Sequence, residues 1–228
     1  MKASALIVAA GSGTRLGLET PKAFVRLGGM TLLARVLRTL RLVDAIGEAV
    51  VAVPSGMERA ARGEANAVGV EIPVKITSGG AERQDSVRIA LAFTSAEAEI
   101  VVVHDAARPF ATPAMFSECI EAAARIGGAI AAIPLADTLK RVDGRSIQST
   151  LTRSGLWQAQ TPQAFNRALL VEAHARASGD GTVATDDSDL IERLGVRVEV
   201  VGGSPLNLKI TTPDDLAMAN AIAARLGS

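Results

Sequence analysis

Cysteine is nearly absent from this 228-residue chain: Cys119 stands alone, so no internal disulfide can form. That scarcity fits a reducing compartment, and its setting, Ser117-Glu118-Cys119-Ile120-Glu121, reads as a buried helix position. Long hydrophobic runs are also missing. None approaches the ~20 residues that cross a bilayer, and no charged-then-apolar leader with a cleavage site is present. A cytoplasmic protein with no membrane partner is expected. Excess charge is missing too, with 24 Lys and Arg against 24 Asp and Glu. That balance argues against a broad polyanion-binding surface and against nucleic acid as a partner, while leaving room for a local basic site. There is no internal repeat, low-complexity segment or interdomain linker, and no convincing Ser-His-acid set.

What the chain does have is apolar mass, 48% of its residues, enough for a sizeable core in one domain over residues 1–228. Ala5–Ala10, Glu48–Val53, Val74–Thr77, Ile100–His104 and Gly128–Pro134 read as strands, several apolar without a break as in a strand buried on both faces. Between them lie helical patterns: 32–40 behind Thr31 as N-cap, 57–67, 85–93, and 113–126 behind Thr112 with Pro113 first. This alternation predicts an α/β fold with a doubly wound, mainly parallel sheet. The pattern breaks at Asp137. Residues 137–142 alternate in polarity, Asp143-Gly144 is a hairpin turn signal, and 146–151 can return. A protruding β-arm at about 136–152 is expected, and so thin a ribbon needs something to pack on, a second subunit for example. Residues 155–163 return to the main sheet. Asn166 caps a helix to Ala177, a polar loop covers 178–185, and a helix surrounds Leu190, Ile191 and Leu194. Strands follow at 196–201 and 206–210, and Thr212-Pro213-Asp214-Asp215 opens the closing helix.

The first loop, Val8 to Gly17, carries Gly11, Gly13 and Gly17 within seven residues, with Arg15 inside it and Lys22 just beyond. Glycines let backbone amides approach an anion closely, so a glycine turn after the first strand with cations beside it suits a polyphosphate. The Walker A reading fails because no Gly-Lys-Ser/Thr closes the loop. The dinucleotide reading fits poorly: the third glycine falls one residue late and Val51-Ala52-Val53-Pro54 supplies no acid. An ordinary turn with two surface cations is the plainer alternative.

Ligands of open α/β sheets bind at the carboxyl ends of the strands. Four clusters fall there: the first loop, Gly79-Gly80 to Ser86, His104 to Pro109, and Asn207-Leu208-Lys209. Asp105, directly after an apolar strand, suits a Mg2+ or a ribose hydroxyl; a helix cap or a salt bridge to Arg108 would also account for it. His104 reads as a structural hydrogen-bonder. Arg83 and Asp85 can simply pair on the surface. Lys209 ends a strand beside the binding edge.

Taken in order, these stretches resemble one family. They are Ala9-Ala10-Gly11-x-Gly13-x-Arg15 with Pro21-Lys22, Gly79-Gly80-x-x-Arg83-x-Asp85-Ser86-Val87, Val103 to Pro109, Asp137-Thr138-x-Lys140, Arg153-x-x-Leu156-Trp157-x-x-Gln160-Thr161-Pro162-Gln163, Thr185-Asp186 and Asn207-x-Lys209-Ile210-Thr211-x-Pro213-x-Asp215-Leu216. The pattern is similar to that of the 2-C-methyl-D-erythritol 4-phosphate cytidylyltransferases and covers essentially the whole chain. It departs at Val8, where many relatives have proline, and at Ala81, where an acid often follows the glycines. The resemblance implies a Rossmann-like nucleotidyltransferase that joins CTP to a polyol phosphate with Mg2+. It implies that Ala9, Ala10, Gly11, Gly80 and Ser86 hold the cytidine, with Gly13 and Arg83 completing the nucleotide site. Arg15, Lys22 and Lys209 would meet the phosphates, and Asp105 would lie between ribose, metal and substrate. Arg108, Thr138, Arg153 and Thr185 would hold the methylerythritol phosphate, Thr138 and Arg153 across a homodimer formed through the arm. The rival readings are a cytidylyltransferase for another polyol phosphate, such as ribitol 5-phosphate, and a non-catalytic nucleotide-binding protein.

Overall fold

In the computed structural model, which describes residues 2–227, the first apolar run forms β1 (Ala3–Val8). Short 3-10 turns at Thr14–Leu16 and Lys22–Phe24 lead to a small hairpin, β2 (Arg26–Leu27) and β3 (Met30–Thr31). The chain then alternates through α1 (Leu32–Leu40), β4 (Ile46–Val53), α2 (Glu58–Val68), β5 (Val74–Ser78), α3 (Arg83–Leu91), β6 (Ile100–Asp105), α4 (Pro113–Ile126) and β7 (Gly128–Pro134). A second hairpin, β8 (Leu139–Asp143) and β9 (Ser146–Leu151), is followed by β10 (Trp157–Asn166), α5 (Arg167–Asp180), α6 (Asp187–Arg193), β11 (Glu199–Gly202) and α7 (Pro213–Arg225).

Seven strands form the main sheet in the order β11-β7-β10-β6-β1-β4-β5. All neighbours pair in parallel except β10, which runs antiparallel between β6 and β7. The sheet is buried on both faces because its central strands are apolar at nearly every position. Ala5 and Ile7 of β1 face a layer that includes Leu33, Leu37, Ala61 and Phe116. Leu6, between them, faces Val87, Leu170 and Ile191 on the other side. Each fully buried leucine or isoleucine there contributes about 1.5–3 kcal/mol. A third cluster joins Leu16 of the first loop to Ile210, Ala219 and Ala223 near the carboxyl terminus.

Helix starts follow local chemistry. The hydroxyls of Thr31, Thr112 and Thr212 accept from the amides of Ala34, Met115 and Asp215, each cap being worth about 1 kcal/mol. Four expectations change. Residues 206–210 form no strand: Asn207 N–H turns back to Ser204 O, and Ile210 N–H goes to Ala107 O rather than to a neighbouring strand. Lys209 therefore sits on an irregular segment, not at a strand end. The helix after Asn166 continues to Asp180, where Gly181 at φ +72° caps it, and the strand expected at 196–201 shortens to β11. The helix expected from Asp85 begins at Arg83, because Glu82 and Asp85 close a reciprocal capping box.

The β8–β9 hairpin is separate from the main sheet and almost wholly exposed. Val142, Ile147, Leu156 and Trp157 present apolar surface in this region.

Candidate active site

Register brings three loops together at the carboxyl ends of the parallel strands. Val8 pairs with both Ala52 and Asp105. Ala9 N–H bonds Ala52 O, Ala106 N–H bonds Val8 O, and Gly79 N–H bonds Val53 O. The loops after β1, β5 and β6 thus emerge together and line a cleft of about 380 Å³. Its walls include Ala9, Ala10, Gly11, Arg15, Lys22, Gly80, Arg83, Ser86, Asp105 and Lys209. Leu16 and Ile210 share one apolar cluster, which draws the carboxyl-terminal segment, and Lys209 with it, against the first loop.

Glycine is required where these loops meet. A Cβ on Gly79 would fall 2.3 Å from Ala10 Cβ and 2.7 Å from Ser86 Oγ. Gly13 sits at φ +75° against Lys22, packing the lysine stem beneath the loop without lining the cleft itself. The buried Ser86 hydroxyl is committed to the loop, accepting from Gly80 N–H and donating to Glu82 O, both at 3.1 Å. Among the described residues the amides of Gly11 and Ser12 have no protein acceptor.

Charge is distributed unevenly around the cleft. Lys209 Nζ lies 2.7 Å from Asp105 Oδ2, and Arg83 Nε lies 3.0 Å from Asp105 Oδ1. Burial alone would push the Asp105 carboxyl up, but Arg83 and Lys209 more than offset this and hold it well below the usual carboxylate range. Arg15 and Lys22 make no ion pair among the described residues. Burial, then repulsion from Lys209, lowers the pKa of Lys22, with Asp105 opposing in part. The fold therefore holds two unpaired cations beside free backbone amides, an arrangement that suits an anion carrying several charges.

A second cavity of about 220 Å³ shares Arg83, Asp105 and Lys209 with the first and adds Arg108, Gln163 and Thr185. Arg108 does not pair with Asp105: its guanidinium donates to Asn207 O at 2.8 Å and Ala159 O at 3.4 Å. Nor does Arg83 pair with Asp85 on the surface. Asp85 is taken by the capping box and by Arg88, and Arg83 turns inward to Asp105 and Asp187. Thr138 and Arg153 line neither cavity. They lie at the base of the hairpin, where Arg153 donates to Ala136 O.

His104 is wholly buried, with Nε2 against Arg108 O at 3.1 Å and Nδ1 against Thr161 Oγ1 at 3.0 Å. Burial lowers its pKa to about 4, so it is a neutral structural group, as its sequence setting suggests. Cys119 is buried and its thiol is pushed up to about 12, chiefly by burial. Sequence reasoning missed Asp187 and His174, which are bonded to each other and, through Arg83, to Asp105. The acid after the Asp186 cap looks like ordinary first-turn charge, and His174 lies in an unremarkable helix.

A family model for IspD, 2-C-methyl-D-erythritol 4-phosphate cytidylyltransferase, matches residues 3–225. Over 225 residues the chain is 48% identical to a bifunctional enzyme IspD/IspF of Anaeromyxobacter sp. (strain Fw109-5), covering 97% of this chain but 57% of that protein. It is 46% identical to a 2-C-methyl-D-erythritol 4-phosphate cytidylyltransferase of Deinococcus radiodurans, covering 99% of this chain and 91% of that protein. The crystal structure of 2-C-methyl-D-erythritol 4-phosphate cytidylyltransferase from Thermus thermophilus superposes with a TM-score of 0.83 at 38% identity, covering 98% of this chain and 100% of that one.

Proposed function

The chain belongs to the 2-C-methyl-D-erythritol 4-phosphate cytidylyltransferase family, and from that premise we infer that the cleft transfers CMP from CTP to 2-C-methyl-D-erythritol 4-phosphate. The products are 4-diphosphocytidyl-2-C-methyl-D-erythritol and pyrophosphate, a step of non-mevalonate isoprenoid biosynthesis. One observation supports this location for the chemistry: Arg15 and Lys22, without an ion pair among the described residues, line the same cleft as the glycine loop, Asp105 and its partner Lys209.

The nucleophile is a phosphate monoester, largely dianionic at neutral pH because its second pKa is about 6. No general base is needed. One of its oxygens forms a bond to the α-phosphorus of CTP, and the bond from that phosphorus to the bridging oxygen breaks. The electron pair leaves with pyrophosphate. The barrier lies in bringing a dianion to a triphosphate, and fixed cations that meet the growing charge lower it. Arg15 and Lys22 hold the triphosphate, Lys209 reaches the reacting phosphates, and the backbone of Ala9, Ala10, Gly11 and Gly80 receives the cytidine. Arg108 and Thr185 bind the methylerythritol phosphate in the adjoining cavity.

One carboxylate suits Mg2+, that of Asp105, and Lys209 on its Oδ2 would have to turn to the phosphates for the ion to enter. No cluster of three His, Cys, Asp or Glu side chains that could cage a metal occurs among the described residues. Mg2+ usually takes one or two carboxylates together with substrate phosphates, and Asp105 supplies such a carboxylate. When bound there, the ion would neutralise charge on the reacting phosphates.

The exposed hairpin and the apolar Val142, Ile147, Leu156 and Trp157 support a homodimer in which the arm packs on a second copy. Thr138 and Arg153 then serve the neighbour's alcohol site. No helix among the described residues is long and apolar enough to cross a membrane, and the even charge balance gives no footprint for nucleic acid. Both are in keeping with work in the cytoplasm.

Pyrophosphate release tests the reading. CTP with methylerythritol phosphate should turn over far faster than UTP or GTP with the same alcohol, and faster than CTP with ribitol 5-phosphate. Equal rates with ribitol 5-phosphate would favour the other polyol substrate. CTP binding without release from any alcohol would mark a non-catalytic nucleotide-binding protein.

A further inference from the structure

Behind the cleft, five side chains from five parts of the chain form one unbroken line. His174 on α5 bonds Asp187 Oδ1 from Nε2 at 3.0 Å. Arg83 on α3 donates from one terminal nitrogen to Asp187 Oδ2 at 2.7 Å and from Nε to Asp105 Oδ1 at 3.0 Å. Lys209 closes the line on Asp105 Oδ2 at 2.7 Å. Asp187 and His174 are 1% and 2% exposed, and neither lines either of the two cavities.

Stability alone is a poor reason for this arrangement. Leu170, Ala173, Leu190 and Ile191 pack the same layer with apolar groups, and a buried ion pair can often be replaced by such groups without loss. What the pair does provide is orientation. A guanidinium is a planar, rigid fork, and one held by two carboxylates at once has little freedom left. Arg83 and Asp105 belong to both cavities, so their spacing matters to nucleotide and alcohol alike.

We propose that Asp187, backed by His174, is a positioning residue for nucleotidyl transfer: it fixes Arg83, and through Arg83 the Asp105 carboxylate between the two cavities. This rests on the activity inferred above. Without the charge of Asp187, Arg83 keeps at most a neutral hydrogen bond on that side, Asp105 is its one remaining ionic partner, and the two shift together.

Asp187→Asn keeps the shape of the side chain, accepting from Arg83 and donating to His174. It should melt below wild type, because Arg83 loses a buried charged partner, and per folded molecule it should lower kcat about 10- to 100-fold, the range seen when a partner that orients a metal-site ligand is lost, with the KM for CTP changing much less. Arg83→Gln combined with Asp187→Asn should be no slower than Arg83→Gln alone, because Asp187 acts only through that arginine. A wild-type kcat in folded Asp187→Asn, or effects that multiply in the double variant, would overturn the proposal. Should Asp187→Asn fail to fold, His174 decides: His174→Leu should lower kcat and His174→Gln, which can still donate to Asp187, should restore it. Equal turnover in those two variants would also overturn it. An active wild type with unaffected variants removes only the role of Asp187, whereas a wild type without turnover removes the functional reading as well.

Discussion

Replacing Lys22 by methionine separates what this lysine does for the reaction from what it does for the fold. The stem packs beneath Gly13, where an added Cβ would meet the lysine Cβ at 3.1 Å, and methionine keeps most of that stem. The charge is a different matter. Burial and the neighbouring Lys209 and Arg15 disfavour it, and Asp105 and Asp215 offset only part of that penalty, leaving the pKa lowered. The folded apoprotein therefore gains nothing from the ammonium, and Lys22→Met should melt at or slightly above the wild-type temperature. Turnover should move the other way. A positioned donor that meets charge developing in the transition state is typically worth about 2.7–4 kcal/mol, a hundred- to a thousandfold in rate. Pyrophosphate release at saturating CTP and alcohol measures the loss in kcat, and thermal melting measures the fold. Turnover within tenfold of wild type in folded protein would refute the reasoning, and so would a melting temperature that falls sharply while each folded molecule stays active. Arg15→Ala, at an exposed position with no ion pair among the described residues, should behave likewise.

Subunits carrying Arg153→Ala should complement subunits carrying Lys22→Ala: a hybrid dimer has one site with both residues intact, so mixing under exchange conditions should restore part of the activity. Verified heterodimers that stay inactive would place Arg153 in its own subunit's service. The depressed pKa of His104, about 4 against 6.5 unfolded, makes it a pH-dependent element of stability. Below pH 6.5 the unfolded chain takes up a proton that the buried imidazole refuses, so stability falls as pH drops toward 4, by roughly 3 kcal/mol over the window. Asp105 and Asp187, whose pKa values are lowered, give up their share only in stronger acid. Melting curves from pH 7 to 4.5 should show a shallower loss in His104→Gln than in wild type; parallel curves would contradict this. Gly79→Ala should weaken CTP binding by calorimetry, because its Cβ overlaps Ala10 and Ser86; unchanged affinity would mean that the two loops can part without cost.

The parallel core was legible because apolar runs such as Ala5–Ala10, whose first four residues lie in β1, and Ile100–Val103 have one comfortable home, a strand covered on both faces. Caps were legible for the same local reason, since Thr31, Thr112 and Thr212 need only their own amides nearby. Residues 206–210 misled because a short apolar alternation does not reveal that Asn207 spends its side chain on Gln160 and Thr161. The direction of β10 was invisible because strand orientation is a property of the partner. In the site, the loop residues and Asp105 could be found from position alone. Asp187 could not, because its meaning lies in Arg83, 104 positions away in sequence. Thr138 and Arg153 stand outside both cavities of the single chain, and the exchange of the arm between two copies proposed above is what would bring them to an alcohol site.

Direct attack by a phosphate monoester at the α-phosphorus, held among Arg15, Lys22 and Lys209, is the step on which everything else depends. Methylerythritol phosphate labelled with 18O on its phosphate, incubated with CTP, Mg2+ and the protein, and read by 31P NMR and mass spectrometry, tests that most directly. All of the label should remain in the cytidylylated alcohol, with one oxygen in the new bridge between the two phosphorus atoms, and the pyrophosphate should be unlabelled and equal in amount to the product. Label in the pyrophosphate, or a product whose bridge carries none, would contradict it.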